Sequence, residues 1–520
     1  MASSTNVPVI VGVGDFKNKS LKVEDAHDPS ELMIRAIQAA LADTGLGTDI
    51  QHNLSAQIDS ISVVPPWTWT YPDLPGLLAS RLKVLPQHTY LAPHGGNGPA
   101  LICDEAARRV ALGDSMVAVV TGGESLATLA AMGKIGKMPP PNWPKPNPTE
   151  KPIAAGGLSV IGDTVGTRHS VGLPVQVYPF YENGFRARRG QTLKENSAES
   201  ARLYAEFDRI ATQNPFAWNH GRPPKSAEEI GRPSPKNRMI SVPYPLLMNA
   251  FNTVNLSAAC IITSVANAKA LGIPESKWVY PLGGAGTHDS DDFWERPNFH
   301  SSPAMEAAIN STIESSLITK DDIDCFDFYS CFPIVPKMAC HYLDLPLTGG
   351  AKPITLLGGL TSFGGAGNNY SMHALTAMTR ELRSGRFNTG LILANGGVMT
   401  HQYAICLSRS PRKGGSGYPS RNPLPHHLEG LSTPQFLEYA TGEAVIESYT
   451  ADFDRTGAPR LGHIIGRLVE TGQRFIANHA NEWTLLRLAD SNIECIGQRG
   501  HVQSLEEGRN VFKINRQAGL

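Results

Sequence analysis

The sequence is poor in the features that mark metal-binding, secreted and membrane-spanning proteins. Its 520 residues include only seven cysteines, an odd number without a Cys-x-x-Cys pair, which argues against a zinc site and favours a reducing compartment. No run of about 18 apolar residues occurs, so no transmembrane helix is predicted. The net charge of −1 gives no indication of nucleic acid or an anionic membrane as a partner.

The two ends of the chain also lack recognisable targeting signals. Met1 to Val13 has neither the basic start nor the apolar core of a secretory signal. Arg516 to Leu520 does not match the Ser-Lys-Leu peroxisomal address. We therefore expect a cytoplasmic protein, with the peroxisome and the mitochondrion as open alternatives.

The most distinctive stretch that is present is glycine-rich and spans residues 358–370. Glycine lets the backbone approach a ligand closely and adopts positive φ angles. A helix is predicted directly after it, and the first turn of a helix offers free N–H groups. The stretch therefore predicts a binding loop, and the alternative is a flexible surface loop.

Strand and helix signals alternate over the first 125 residues, which predicts an α/β layer fold with a largely parallel sheet. The same order returns after residue 254 and indicates a second, pseudo-duplicated half. Between the halves, 126–245 is rich in proline and is predicted to be an inserted loop domain with one amphipathic helix, 198–213. The predicted strands of the two halves are 7–13, 58–64, 89–92, 116–121, 254–265, 278–284, 323–329, 390–394 and 402–407.

A different pattern begins after residue 410. Residues 411–430 are rich in Gly, Ser, Pro and basic residues and are predicted to be a linker. Five short β segments and one helix follow, which suits a small OB-like barrel. The predicted organisation is a first half from 1–125 and 246–275, the insert 126–245, a second half 276–410, the linker 411–430 and the barrel domain 431–520.

Four loops in this arrangement resemble the four active-site loops of the thiolase superfamily. They are Gly95-Gly96-Asn97-Gly98-Pro99, Tyr329-Ser330-Cys331-Phe332, the glycine-rich stretch, and Leu393-Ala394-Asn395-Gly396-Gly397. The segments 178–183, 214–218, 233–239 and 441–450 are similar to the type-1 thiolase-like proteins, which carry an additional C-terminal domain. The resemblance implies a thiolase fold of two α/β halves, covering nearly the whole chain.

The standard thiolase catalytic side chains are replaced in this sequence. The position of the nucleophilic cysteine falls on Gly96, and Cys103 lies two helical turns further on and cannot stand in for it. The third-loop histidine is replaced by Gly365 and the fourth-loop cysteine by Ala394. Backbone N–H groups near Gly96 and Gly396 can still form an oxyanion hole.

Without a thiolate, acyl transfer by the covalent route is not expected, whereas a retro-aldol cleavage needs only a base and an oxyanion hole. Thiolase-fold retro-aldolases have a tyrosine at the position of Tyr329, and they require a separate OB-fold partner chain. The additional C-terminal domain is the expected counterpart in cis. A tyrosine base needs help from neighbours, for which His94, Tyr370 and His401 are candidates. His373, one turn into its helix, could simply face solvent.

The predicted catalytic residues are therefore Tyr329, His94, Tyr370 and His401. A second set is predicted to form the oxyanion hole or to bind substrate: Gly96, Asn97, Gly364, Gly365, Asn368, Asn395, Gly396 and Cys331. Cys331 is either a packed residue or a reactive thiol. Arg186, Arg188 and Arg189 are either contacts for CoA phosphates or a solvated charge run.

The expected function is C–C bond cleavage or formation on an acyl-CoA thioester without the standard cysteine nucleophile. Two alternatives remain open: a conventional acetyl-CoA acyltransferase and a non-catalytic acyl-CoA-binding protein. CoA is expected only as part of the substrate, with no permanently bound cofactor and no metal. Homodimer and monomer are both open.

Overall fold

The computed structural model describes residues 6–153, 162–506 and 508–516. The end of the C-terminal segment that was compared with the peroxisomal address therefore lies outside the described residues, as does part of the insert. In the described part of the chain, no helix has the length and apolar character needed to cross a membrane.

The strands in these residues are β1 (Pro8–Lys17), β2 (Ile58–Val64), β3 (His88–Leu91), β4 (Val117–Ser125), β5 (Met239–Ser241), β6 (Tyr244–Pro245), β7 (Asn255–Ser264), β8 (Tyr280–His288), β9 (Cys325–Phe328), β10 (Thr389–Gly396), β11 (His401–Ser408), β12 (Gly442–Phe453), β13 (Pro459–Leu468), β14 (Arg474–His479), β15 (Arg499–Ser504) and β16 (Asn510–Ile514).

The α-helices in the same residues are α1 (Pro29–Asp43), α2 (Thr48–Ala56), α3 (Leu74–Leu82), α4 (Gly98–Leu112), α5 (Leu126–Lys134), α6 (Val165–Arg168), α7 (Pro174–Arg188), α8 (Leu193–Gln213), α9 (Ala227–Gly231), α10 (Val265–Ala270), α11 (Pro303–Ser315), α12 (Ile334–Leu343), α13 (Tyr370–Arg383) and α14 (Glu482–Ala489).

The two halves of the core have equivalent sheets, which confirms the predicted pseudo-duplication. The first sheet has the order β1-β7-β4-β2-β3 and the second has the order β8-β11-β10-β9. Residues 353–354 hydrogen-bond to β9 at the place that β3 occupies in the first sheet. Helices α4 and α13 pack between the two sheets, while α1 covers the outer face of the first and α11 that of the second.

The expectation of a largely parallel sheet holds for strand direction, with one reversed strand in each half. Strands β2, β3 and β4 are parallel to one another, but β7 is antiparallel to both β1 and β4. The reason is that β7 follows the long insert and enters the sheet between β1 and β4 in the opposite direction. In the second half, β11 is likewise antiparallel to β8 and β10.

Local signals explain where the core helices begin. The side chain of Asp28 accepts a hydrogen bond from the Ser30 N–H at the start of α1, as expected for an N-cap residue. Pro99 lies in the first turn of α4, and that helix ends at Gly113 with a φ of +83°. These two helices therefore start and stop where the sequence predicts.

The C-terminal strands form a closed five-stranded barrel, as predicted. Its order is β13-β14-β16-β15-β12, and β12 pairs with β13 to close it. Strands β14 and β16 are parallel, and α14 lies between β14 and β15 in the sequence. The sequence also predicts that one of the five barrel strands spans 493–502, but the strand begins only at Arg499, and residues 493–498 before it are irregular.

Helix α7 of the insert, which the sequence did not predict, connects the barrel to the core. The Ser448 hydroxyl donates to the Phe180 carbonyl (2.7 Å), and the Asn183 amide donates to the Tyr449 carbonyl (2.8 Å). Arg186 is fully buried there, between Glu494 and the Tyr449 hydroxyl. Arg186 is therefore an interface residue, and the interpretation of its guanidinium as a contact for CoA phosphates is wrong.

Candidate active site

The first, second and fourth loops meet at Gly96. A Cβ atom built on Gly96 would lie 2.6 Å from Cε2 and 2.7 Å from Cζ of Tyr329, and closer still to the carbonyl oxygen of Asn395. Real Cβ atoms do not approach other atoms so closely. The position that matches the thiolase nucleophile therefore has no room for a side chain, because the Tyr329 ring occupies that space.

Tyr329 is buried, and its hydroxyl makes no hydrogen bond within the described residues. Burial raises the pKa of Tyr329 well above its usual value, and the neighbouring Cys331 adds to the rise. Among the residues that the structure describes, no cation offsets this effect, so the side chain is a neutral phenol at neutral pH.

Tyr370 packs its ring edge-on against Tyr329, with 5.6 Å between ring centroids. Its hydroxyl accepts a hydrogen bond from the Gly359 N–H (3.1 Å) at the start of the glycine-rich loop. Burial and the nearby Asp327 raise the pKa of Tyr370 well above its usual value. The structure thus places Tyr370 beside Tyr329, with its hydroxyl engaged by the backbone of the third loop.

His94 and Asn368, both predicted site residues, are in hydrogen-bonding contact. The Asn368 side chain accepts from the Trp67 indole N–H (2.8 Å) and donates to the Pro65 carbonyl (2.9 Å). These two bonds fix which end of the amide carries the N–H₂ group, so Asn368 donates to Nδ1 of His94 (3.1 Å). The neutral His94 ring must then carry its proton on Nε2.

His94 itself is exposed, although partial desolvation of its ring lowers its pKa below the usual value. It is therefore a neutral ring at neutral pH. The Nε2–H group is a hydrogen-bond donor, which suits an oxyanion contact and does not suit a general base.

Glu124, near the end of β4, extends this chain of hydrogen bonds by binding the segment that contains Trp67. Its buried carboxylate accepts from the backbone N–H groups of Trp67 and Thr68 and from the Thr68 hydroxyl. It also lies against Gly367, where a Cβ atom would collide with it. Burial raises the pKa of Glu124 to about 7, and the hydrogen bonds partly oppose that rise.

Asn395 in the fourth loop belongs to a second buried polar network. Its amide donates to the Tyr178 hydroxyl (2.7 Å) and contacts the Cys331 sulfur (3.8 Å), and its oxygen accepts from Gln402 (2.6 Å). The Tyr178 hydroxyl also accepts from the Met399 N–H (3.2 Å). Burial raises the pKa of Cys331 to about 12, so this cysteine is a protonated thiol.

At Gly364 and Gly365 the third loop supplies backbone geometry, whereas its Asn368 and Tyr370 supply side chains. Gly364 has a φ of +117°, and a Cβ there would lie 3.0 Å from Val254 and 3.4 Å from Trp218. The Gly365 N–H donates to the Phe251 carbonyl (2.8 Å). His373, on the following helix, does not face solvent: it is fully buried, and its Nδ1 lies 2.5 Å from Asp15.

His401 lies apart from the His94 group, on β11 opposite Gly396. Its ring packs on His288 with 4.9 Å between centroids, and its Nε2 is 3.6 Å from Asp291. Two linker histidines, His426 and His427, flank His288 on its other sides. The structure thus brings His94, Asn368, Gly96, Asn97, Tyr329, Tyr370, Asn395, Gly396 and Cys331 into one region and groups His401 with other histidines.

Three residues of this region were missed by the sequence reasoning: Trp67, Glu124 and Tyr178. Trp67 lies in an aromatic run, Trp67-Thr68-Trp69, and Tyr178 begins a segment similar to the type-1 proteins. Glu124 ends a buried strand, where an acidic residue is unusual, and that was the available signal. Within the ranges described, no cluster of His, Cys, Asp or Glu could hold a metal ion.

Comparison with known proteins gives one domain match and several structural matches. Residues 423–507 match the family model of the thiolase-like protein type 1 additional C-terminal domain. A monomeric SCP2-thiolase-like protein type 1 from Mycobacterium smegmatis is 29% identical, with 98% of this chain and 99% of that chain covered and a TM-score of 0.79. A search of curated proteins finds no significant match.

Two further solved structures share the core fold at low identity. The Ltp2-ChsH2(DUF35) aldolase is 18% identical over 79% of this chain and 100% of that chain, with a TM-score of 0.59. Human mitochondrial 3-ketoacyl-CoA thiolase is 11% identical over 78% and 99%, with a TM-score of 0.56. With its two α/β halves and closed C-terminal barrel, the chain has the thiolase fold, carries a thiolase-like protein type 1 additional C-terminal domain, and is similar over nearly its whole length to an SCP2-thiolase-like protein type 1.

Proposed function

We propose that this protein makes or breaks a C–C bond next to the thioester of an acyl-CoA, by retro-aldol chemistry that uses no cysteine nucleophile. The observation that carries the proposal is the contact between Gly96 and Tyr329, which leaves no space for a nucleophilic side chain. The burial of Cys331 and its pKa of about 12 also argue against a thiolate.

Hydrogen-bond donors at the first loop supply the oxyanion hole. The backbone N–H groups of Gly96 and Asn97 have no partner within the described chain, and His94 adds the Nε2–H group. Gly396 approaches the same place, since a Cβ there would lie 3.1 Å from the Gly96 nitrogen. Such donors stabilise the enolate oxygen, and losing one typically slows catalysis by about 10²–10³.

Tyr329 acts as a neutral proton relay. In the cleavage direction, the β-hydroxyl of the substrate gives its proton to the phenol oxygen, and the phenol gives its own proton to Cα. The Cα–Cβ bond breaks with its electron pair moving to Cα, so a carbonyl product and a shortened acyl-CoA leave. This role needs no phenolate and therefore agrees with the raised pKa of Tyr329.

The barrel domain takes the part of an OB-fold partner in cis. Helix α7 links the barrel to the site. Its Asn183 hydrogen-bonds to the barrel, and its Tyr178 hydrogen-bonds to Asn395 in the fourth loop. The Ltp2-ChsH2(DUF35) aldolase is named for two components, which supports a two-component arrangement that is joined here in one chain.

Acyl-CoA is the substrate, and CoA is not held as a permanent cofactor. We propose a monomer, because the similar M. smegmatis protein is monomeric. The seven free, buried cysteines support a reducing compartment such as the cytoplasm.

The test is a product analysis over a panel of 3-hydroxyacyl-CoA thioesters with branched, linear and polycyclic acyl groups. The proposal expects a shortened acyl-CoA and an equimolar aldehyde or ketone. Transfer of an acetyl group to CoA would support the conventional acyltransferase instead. Tight acyl-CoA binding with no turnover of any panel member would favour the non-catalytic binding protein.

A further inference from the structure

We propose that Lys17, Lys19 and Arg222, the cationic cluster, bind the phosphate groups of the CoA thioester beside the third glycine loop. The inference rests on the proposed function and specifies where the nucleotide end of the substrate is held.

The two lysines converge on one loop of the insert, and Arg222 follows that loop directly, with its N–H donating to the Asn219 carbonyl (3.1 Å). The Lys17 ammonium donates to the carbonyls of Pro215 (2.6 Å) and Ala217 (2.9 Å). The Lys19 ammonium donates to the Trp218 carbonyl and lies 4.5 Å from the centroid of the Trp218 ring. An ammonium has three donors, so each lysine retains at least one N–H for an anion.

The positive charge of the cluster is not neutralised by the protein. Within the described residues, no carboxylate lies within 4 Å of any of its three cations. Burial lowers the pKa of Lys17, and repulsion by Lys19 lowers it further. Burial also lowers the pKa of Lys19, and repulsion by Arg222 adds to that effect. A bound phosphate would relieve this repulsion and accept the free N–H groups.

The cluster adjoins the candidate site. Lys17 is the last residue of β1 and pairs with Leu256, whose side chain would lie 3.2 Å from a Cβ on Gly364. The Trp218 N–H donates to the Phe363 carbonyl (2.7 Å) in the third loop. The cluster therefore lies at the strand ends where ligands bind in α/β sheets.

Two partly exposed aromatic rings lie next to the cluster, each with a cation over it: Lys19 over Trp218 and Arg380 over Phe216. The arginines considered from the sequence are less suitable. Arg186 is buried against the barrel, and Arg189 is paired with Glu199 through two bonds of 2.9 Å. Arg188 is exposed and serves as a control.

The experiment compares binding of CoA, 3′,5′-ADP, pantetheine and inorganic phosphate by calorimetry. The double variant Lys17→Gln/Lys19→Gln should bind CoA and 3′,5′-ADP at least tenfold more weakly and bind pantetheine as the wild type does. Arg222→Gln, at an exposed position, should weaken CoA binding in the same direction and remains informative if the double variant does not fold. Lys22→Gln and Arg188→Gln should leave CoA affinity unchanged.

Two different failures can be told apart. If the wild type binds CoA and the cluster variants bind it equally well, the cluster is not the phosphate site, while the proposed function stands. If the wild type binds neither CoA nor acyl-CoA, the proposed function itself fails. Equal affinity of the wild type for inorganic phosphate and CoA would identify a simple anion site and overturn the assignment to CoA.

Discussion

The ring of Tyr329 occupies the space in which a side chain on Gly96 would begin, since a Cβ there would lie 2.6 Å from the ring. A catalytic cysteine and this tyrosine therefore exclude each other in one backbone arrangement. Replacing the nucleophile by glycine and placing a phenol in the second loop are thus two parts of one structural change.

Gly96→Ala and Gly96→Cys should destabilise the protein, because the added Cβ forces Tyr329 or the Asn395 carbonyl to move. Overpacking of this kind costs about 1–3 kcal/mol. Urea unfolding measures the free energy of unfolding. Gly133→Ala is the control: this helical glycine has open space around it, so the variant should be neutral or more stable by a few tenths of a kcal/mol. Equal stability of Gly96→Ala and wild type would contradict the packing described.

Tyr329→Phe should reduce turnover of a true substrate by about 10²–10⁴, because the proton relay is lost. Its affinity for the same acyl-CoA should stay within twofold of the wild type. Tyr370→Phe is the comparison: it removes the bond to the Gly359 N–H and should mainly lower stability, by about 1 kcal/mol. Steady-state kinetics and calorimetry separate the two effects, and full activity of Tyr329→Phe would refute the relay.

The His94 ring should carry its proton on Nε2 at neutral pH, because Nδ1 accepts a hydrogen bond from Asn368. Side-chain ¹⁵N NMR distinguishes the two tautomers directly. In Asn368→Leu the donor is gone, so the pKa of His94 should rise. His401, which does not contact Asn368, is the internal control in the same spectrum. Observation of the Nδ1–H form in the wild type would rule out the proposed donor role.

Stability should fall with rising pH through the titration of Glu124. Burial raises its pKa to about 7 in the native state, above the usual value of about 4.3 in the unfolded chain. Between these values the native state binds a proton that the unfolded state has lost. The free energy of unfolding is therefore highest below pH 4.3 for this group and decreases toward pH 7, by up to about 3 kcal/mol.

Comparison of unfolding free energies at pH 5, 6, 7 and 8 for wild type and Glu124→Gln isolates this contribution. The variant should show a flatter pH dependence over this range, whatever its absolute stability. Parallel curves for the two proteins would mean that Glu124 titrates normally.

Arg186→Met should weaken the attachment of the barrel. The change leaves the Asn183 oxygen and the Tyr449 hydroxyl without the guanidinium, which costs about 1–3 kcal/mol. Glu494, which also accepts hydrogen bonds from the guanidinium, is partly exposed and can be solvated. Differential scanning calorimetry should show a lower unfolding temperature, whereas Arg188→Met, at an exposed site, should change stability by less than about 0.5 kcal/mol. Equal thermograms would show that Arg186 does not hold the barrel.

The sequence was sufficient for the architecture because its signals are local. Asp28, Pro99 and Gly113 mark helix ends, and β-branched runs such as 58–64 mark buried strands. Sequence order did not reveal the direction of β7, because the partners of a strand after a long insert depend on contacts distant in the chain. Helix α7 was missed for a related reason: it is buried on most sides and contains Pro179, so it lacks an amphipathic pattern.

The candidate site was predictable only in part. The glycine-rich loops indicated where the site lies. Glycine is needed wherever two backbone segments approach closely, and that requirement can be seen in the local sequence. The chain from Glu124 through Trp67 and Asn368 to His94 links residues up to 301 positions apart, and no local pattern encodes it. The raised pKa of Tyr329 likewise depends on burial, which the sequence of its own loop does not show.

The most direct test of the central claim is intact-protein mass spectrometry, with rapid acid quenching, during turnover of a 3-hydroxyacyl-CoA. Product must be forming in the same sample, as measured by the released aldehyde or ketone. The account predicts that the protein retains its unmodified mass throughout. An acyl adduct that forms and decays at the rate of turnover, and that maps to Cys331 or any other cysteine, would contradict it.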